Sequence, residues 1–540
     1  MKSKKFILNI FYNEKFHLLI LFIFFLISTL NLKSYGISWD EQSSRAVGFI
    51  NGKYIIEVFF GNDILKDFTK FFGLDFFDEF INSDKYIFDT YAEKAYGPGF
   101  ELPMALIELL SNLKNTKDIF LLRHYVNFII FCVGLIFFYK FLKLKLNSSF
   151  YAFLGCCLLA LSPRIYAHSF FNSKDIIFLS YLQIANYYGY KFTLNNRSIK
   201  NILLFSSTLA LASAVRPLGL ILLFFYLCLN YLKNKELVIK QNFILITLSM
   251  VFLYVFWPHL WSNPIKNFYE AFFYFSQIPW KGNVLFFGDL IDASSLPFYY
   301  LPTWIFITTP EIVILLFLFS IYVLTVRVYK TKNFDNKILE DFFFLIYFII
   351  FPISLNIMLK TILFDGWRHF YFIYPFMILT SLSLLKYLLK KKIVKFFEII
   401  ICFNILFLTF WNISNNPFQY LYFNKLLLGK NTILLFEKDY WGISNKQALE
   451  FLNRVEKNDI PVTSHGSNLK TSLLILNPED QKKFFFINKD KYKDKYYVFI
   501  NNRYISKDKM NNILIKKKFI YKLTYKGEFI NGIYIENNDK

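Results

Sequence analysis

Residues 16–45 read FHLLILFIFFLISTLNLKSYGISWDEQSSR. About 20 residues, the length needed to cross roughly 30 Å of hydrocarbon, are predominantly apolar before Asp40, Glu41 and Arg45 arrive close together. No small-residue cleavage site follows, so the run predicts a retained membrane span and not a signal peptide. Two adjacent carboxylates and an arginine just past its end need a separate reason.

The rest of the chain extends that reading. It holds 540 residues with 70 Phe and 37 Tyr, at a mean hydropathy of +0.36. That is more apolar surface than one or two soluble domains can bury. Further apolar runs near 119–140, 149–163, 175–192, 201–215, 217–232, 242–260, 299–326, 342–360, 370–389 and 393–412 bring the prediction to about eleven spans. The formal net charge of +22 does not indicate a nucleic-acid binder, because the lysines fall in short runs between apolar segments.

Those runs set the orientation. MKSKK at 1–5, KFLKLKLN at 140–147, NNRSIK at 195–200, KNKELVIK at 233–240, RVYKTKNFDNK at 327–337 and KYLLKKKIVK at 386–395 occupy every second loop, which predicts that these loops are cytoplasmic. Loop 37–118 instead carries 14 Asp or Glu against 8 Lys or Arg and belongs outside. Within it, 42–60 and 64–81 mix aromatic and charged residues at helical spacing and predict interfacial helices. The tail, 413–540, also falls outside. Its helix-like NKQALEFLNRVEKN (445–458) and strand-like IPVTSHGS (460–467), KYYVFINNRYI (495–505) and EFINGIYIEN (528–537) predict a small α/β domain. The expected architecture is an all-α polytopic membrane domain over 1–412 followed by an extracytoplasmic α/β domain over 413–540.

Cys132, Cys156, Cys157, Cys228 and Cys402 all lie inside apolar runs, so neither a disulfide framework nor a zinc cluster is expected. Polar residues collect instead at the outer ends of spans: SWDEQ (38–42), LLRHYVNF (121–128), SPRIYAHSFFNSKD (162–175), AVRPLG (214–219) and LFDGWRHF (363–370). Arginine and aspartate beside tryptophan, histidine and tyrosine suit a cavity that opens at one membrane face and handles a phosphate. Simpler readings stand beside this one: a solvated carboxylate pair at Asp40–Glu41, a snorkelling basic hairpin around Lys174, and interfacial anchors at Arg123–His124 and Arg368–His369.

SWDEQ, LSPRIYAHSFFNSKDIIF (161–178), LPFYYLPTWIFITTP (296–310), LFDGWRHFYFIYPF (363–376), NPFQYLYFN (416–424) and FEKDYWGISNKQALEFLN (436–453) together resemble bacterial members of glycosyltransferase family 39. That family is related to protein O-mannosyltransferases and aminoarabinose transferases. The resemblance runs from about residue 15 to about 455. It implies a GT-C fold in a bacterial cytoplasmic membrane, with a polyprenyl-phosphate-linked sugar as donor and a hydroxyl on a lipid, glycan or protein as acceptor. By position it implies Asp40 as general base with Glu41 beside it, with Lys174 and Asp175 supplied by the outer hairpin and Arg123 by the second span; in the mechanism that these residues suggest, Arg123, Lys174 or Arg368 stabilises the departing lipid phosphate. His168, Asp175 and His369 would position substrate. No HExxH, DxD or Cys/His cluster occurs in the outer loops, so no metal or other cofactor is expected. The competing function is a transporter or flippase of lipid-linked sugars, which would use a similar basic cavity without a base.

Overall fold

Glu41 reaches back along the chain to accept the Ser38 backbone N–H at 2.6 Å, one half of a capping box that starts a helix two residues after Trp39. Such local starts repeat along the chain. Asn115 and Ser198 cap their helices with side-chain acceptors, and Pro163 opens another at a position whose N–H would be unused. The computed structural model describes residues 13–71, 87, 88, 90, 91, 93–234, 238–278, 280–330, 336–387, 391–425, 435–466, 468–501, 503 and 505–537.

The elements that frame the site are α1 (Glu14–Asn31), α2 (Glu41–Phe71), α3 (Glu101–Ser111), α4 (Thr116–Leu146), α5 (Ser149–Ala160), α6 (Pro163–Phe171), α7 (Asp175–Leu194) and α8 (Ile199–Val215). Helix α7 packs against both α4 and α8. Helix α2 crosses α3 so closely that a Cβ on Gly48 would lie 2.2 Å from the Glu101 carbonyl oxygen. Of the predicted outer-loop helices, the first lies within α2, which is interrupted at Gly61 with φ of 80°; the second continues past residue 71, outside the described residues.

Six helical stretches are long and apolar enough to cross a membrane: Glu14–Ser34, Thr116–Leu146, Pro217–Asn234, Val238–Phe256, Ile338–Leu359 and Lys392–Ser414. A seventh arises if α5 and α6, which meet at 68°, count as one span. The chain is therefore a multi-pass membrane protein, with fewer straight apolar spans among its described residues than the predicted eleven. Several of the other runs are interrupted or enclosed by protein. Run 175–192 becomes α7, whose Gln183 and Asn186 are buried against protein and not lipid. Run 201–215 becomes the 17-residue α8, 299–326 divides at Pro310 into Tyr300–Thr308 and Glu311–Lys330, and 370–389 begins as a 3-10 turn, Arg368–Ile373, before the helix Tyr374–Tyr387. A helix enclosed by other helices can carry polar residues that a lipid-facing one cannot.

The tail folds as its sequence predicts. Helix α9 (Asn445–Val455) lies against a five-stranded sheet. With the hairpin β1 (Asn283–Phe286) and β2 (Asp289–Asp292) standing apart, the sheet comprises β3 (Ile460–His465), β4 (Phe484–Phe486), β5 (Tyr496–Asn501), β6 (Phe519–Tyr525) and β7 (Glu528–Glu536) in the order β4-β3-β5-β7-β6. β3 runs parallel to β4 and β5, and the remaining pairs are antiparallel. Ala448, Leu449 and Leu452 of α9 form one core with Ile460, Val462 and Phe499, and this core takes in Ile37 and Phe120 from the helical body. Ahead of α9, Phe436 pairs with Phe286 of β1, so the strap 436–444 is held between body and sheet.

Candidate active site

Asp40 and Glu41 are adjacent in sequence and have different surroundings. Glu41 is buried; beyond its bond to Ser38 it meets His124 Nε2 at 2.8 Å. Asp40 keeps 28% of its side chain exposed and lies 3.8 Å from Arg368 Nη2. A narrow cleft is lined by Ser38, Asp40, Glu41, Ser44, Phe171, Asn172, Ser173, Lys174 and Trp441.

The loop between α6 and α7 supplies one wall. Asn172 acts as an Asx-type start for α7, its Oδ1 accepting the Asp175 N–H at 2.8 Å. Its Nδ2 donates to Asp175 Oδ2 and contacts His168 Nδ1, both at 3.0 Å. Asp175 is thereby fixed between two guanidiniums, Arg216 at the end of α8 and Arg368 Nη1 at 2.7 Å. Lys174 Nζ sits 4.0 Å above the Tyr96 ring and 3.4 Å from Glu93. Burial opposes the Lys174 charge, but Glu93, followed by Tyr96 and Asp40, outweighs it and holds the ammonium above the ordinary lysine range.

Arg368 links these groups. Its guanidinium touches Asp175, Asp40 and, at 3.5 Å, Asp365, and lies 4.8 Å from the ring centres of both Phe364 and Trp441. Trp441 Nε1 donates to Asp365 in turn. His369 is half-buried, with its Nδ1 enclosed and unbonded among the described residues; desolvation and the adjacent Arg368 charge hold its pKa well below the ordinary histidine value, so the ring is neutral. His168 packs edge-on to Tyr371 and Trp441.

Arg123 stands apart from this group. It is bonded to Glu101 and, at 2.6 Å, to Glu108, whose other oxygen accepts Arg45 Nε at 2.8 Å. Glu101 also accepts Ser173 Oγ at 2.6 Å, so this second network touches the cleft through the residue before Lys174. The structure thus brings together Asp40, Glu41, Lys174, Asp175, Arg368, His168 and His369, with Glu41 in the cleft wall and buried against His124, and places Arg123 in the layer that supports them. Arg216, Asp365, Tyr96 and Trp441 were not singled out from sequence. Arg216 and Asp365 lie in AVRPLG and LFDGWRHF, which signalled polar residues at span ends but not their pairing; Trp441 arrives from beyond the last span. No cluster of three or more metal-ligating side chains occurs among the described residues.

No family model matches the chain, and no curated protein matches it either. It is similar to two solved structures of ArnT from Cupriavidus metallidurans. With the form bound to undecaprenyl phosphate it shares 8% identity at a TM-score of 0.47, over 96% of this chain and 97% of the other. With the apo form the identity is 8% and the TM-score 0.49, over 100% of this chain and 99% of the other.

Proposed function

We propose that this chain is a glycosyltransferase of the bacterial cytoplasmic membrane that moves a sugar from a polyprenyl-phosphate donor to a hydroxyl acceptor on the extracytoplasmic side, with inversion. The observation that carries the reading is the arrangement at the cleft: a half-open carboxylate, Asp40, shares the cleft with the partly buried Lys174 and faces the buried Arg368 at 3.8 Å, at the end of an apolar helical body. A charged lipid phosphate needs such cations, and an attacking hydroxyl needs such a base.

In the proposed reaction Asp40 takes the acceptor O–H proton while the acceptor oxygen forms its bond to the anomeric carbon. The bond from that carbon to the phosphate oxygen breaks, and its electron pair leaves on the polyprenyl phosphate, where Lys174 and the Asp40-facing edge of Arg368 meet the charge. Asp175 orients Arg368. His168 acts through Asn172, and neutral His369 is a hydrogen-bonding group for the sugar or its phosphate. Glu41, in the wall of the cleft, and Arg123, behind it, hold α2, α3 and α4 in register.

The transporter alternative uses the same cations but gives Asp40 no proton to accept. The test is reconstitution in liposomes with a labelled polyprenyl-phosphate sugar, adding membranes from a deletion strain as the source of acceptor. Appearance of label on glycolipid or glycoprotein supports transfer. Movement of the intact lipid across the bilayer without transfer would bring the transporter reading forward.

A further inference from the structure

Asp40 is followed by the α2 cap and preceded by Trp39, and the grip on Trp39 comes from the far end of the chain. The Trp39 N–H donates to the Trp441 carbonyl at 3.2 Å. The Arg503 guanidinium carbon lies 3.7 Å from the Trp39 ring centre and 3.9 Å from that of Tyr440, so the arginine is sandwiched between the two rings. Arg503 Nη1 also donates to the Tyr440 carbonyl at 2.9 Å, and the residue is 2% exposed. Its own backbone is confined: a Cβ on Gly466, which has φ of +81°, would meet the Arg503 carbonyl oxygen at 2.4 Å. The strap that carries Tyr440 is tied to the sheet at two more points, by Lys438 to Glu528 at 3.1 Å and by the Asn531 Nδ2 bond to Ser444 Oγ at 2.9 Å.

We infer that Arg503 of the C-terminal domain is a positioning residue for the transferase site, setting Asp40 against Arg368 by clamping Trp39 and Tyr440. The inference rests on the transferase reading and gives the tail a task inside the site. The clamp acts on both sides of the 3.8 Å gap between Asp40 and Arg368: Trp39 precedes Asp40, and Tyr440 precedes the Trp441 that packs on Arg368. Only a planar cation fills a slot between two rings in this way, so lysine is not an equivalent. Displacement of a reacting group by about 1 Å costs on the order of 100-fold in rate.

The test uses the full chain with Arg503→Met and Arg503→Lys, each at matched amounts of folded protein. Both should lower kcat by roughly 10- to 100-fold and change the donor KM far less, because Lys174 lies outside the clamp and Arg368 keeps its bond to Asp175. If Arg503→Met does not fold, Arg503→Lys, which keeps the buried charge, carries the test. A second readout needs no activity. In a cysteine-free background, Ser43→Cys, half-buried beside Asp40, should react faster with a maleimide once Arg503 is replaced, while Ile487→Cys, just past the end of β4, should not. Parental kcat in both variants overturns the proposal, as does equal acceleration at Ser43→Cys and Ile487→Cys, which would mark Arg503 as a general stabiliser. If the parent itself transfers no sugar, the transferase reading fails, and the two labelling rates still decide whether the clamp exists.

Discussion

Asp40 and Glu41 would be interchangeable on composition alone; their neighbours separate them. Asp40→Asn keeps size and most hydrogen bonding but cannot take a proton, so single-turnover transfer at saturating donor should fall by about 10² to 10⁴-fold. Glu41→Gln keeps one bond to Ser38 or His124 and should instead lower stability by about 1–3 kcal/mol, read from the thermal midpoint in detergent, with a smaller loss of rate. A collapse of rate only in Glu41→Gln would exchange the two roles. Arg368 is buried against Asp175 and Asp365. Arg368→Ala removes the cation paired with buried Asp365 and one of the two guanidiniums on Asp175, and should cost about 3–5 kcal/mol, visible as lost folded yield. Glu437 of the strap gives a pH test. Burial, with the Asp365 carboxylate next in effect, pushes it up to about 8. An acid whose pKa is raised by folding holds its proton more tightly in the native state, so stability falls as pH rises from the unfolded carboxyl range through about 8. Glu437→Gln should flatten that fall, and parallel melting curves of parent and variant from pH 5 to 9 would remove Glu437 as its source.

Helix pairs behave in the same context-dependent way. The capping signal S-x-x-E at Ser38–Glu41 is local and was open to reading, whereas the distance between α2 and α3 depends on Gly48, whose lack of a side chain acquires meaning only opposite Glu101. Gly48→Leu should force the two helices apart, drawing Glu101 and Glu108 away from Arg123 and Arg45, and lower stability by more than about 3 kcal/mol. Gly52→Ala, whose Cβ would meet only the Leu102 side chain at 3.5 Å, should be tolerated. Melting temperatures of the two variants check the contrast, and equal tolerance would mean that α2 can slide on α3. The bend between α5 and α6 follows from Pro163, which ends one helix and starts the next, so the chain turns through 68° where the predicted span 149–163 ends.

For the chain as a whole, the alternation of basic loops predicts sidedness. A cysteine replacing Lys489 should react with a membrane-impermeant maleimide in intact cells, and one replacing Tyr329 only after permeabilisation; the reverse pattern would invert the orientation and move the site to the cytoplasm. Membrane residence, the helical body and the α/β tail were legible in the amino-acid order because each rests on nearest-neighbour patterns: apolar length, the helical and strand periods, and lysines that stop at one face. The strands Phe484–Phe486 and Phe519–Tyr525 were not separated from their surroundings, since short or amphipathic edge segments carry little periodicity. Candidate chemistry was legible as residue types at span ends, but which carboxylate stays open to solvent was not. That choice comes from contacts between residues 83 apart for Glu41 and His124, 193 apart for Asp175 and Arg368, and more than 400 apart for Trp39 and Arg503. Charge pairing and ring stacking act through space at a few ångströms, and only the folded chain brings those distances about.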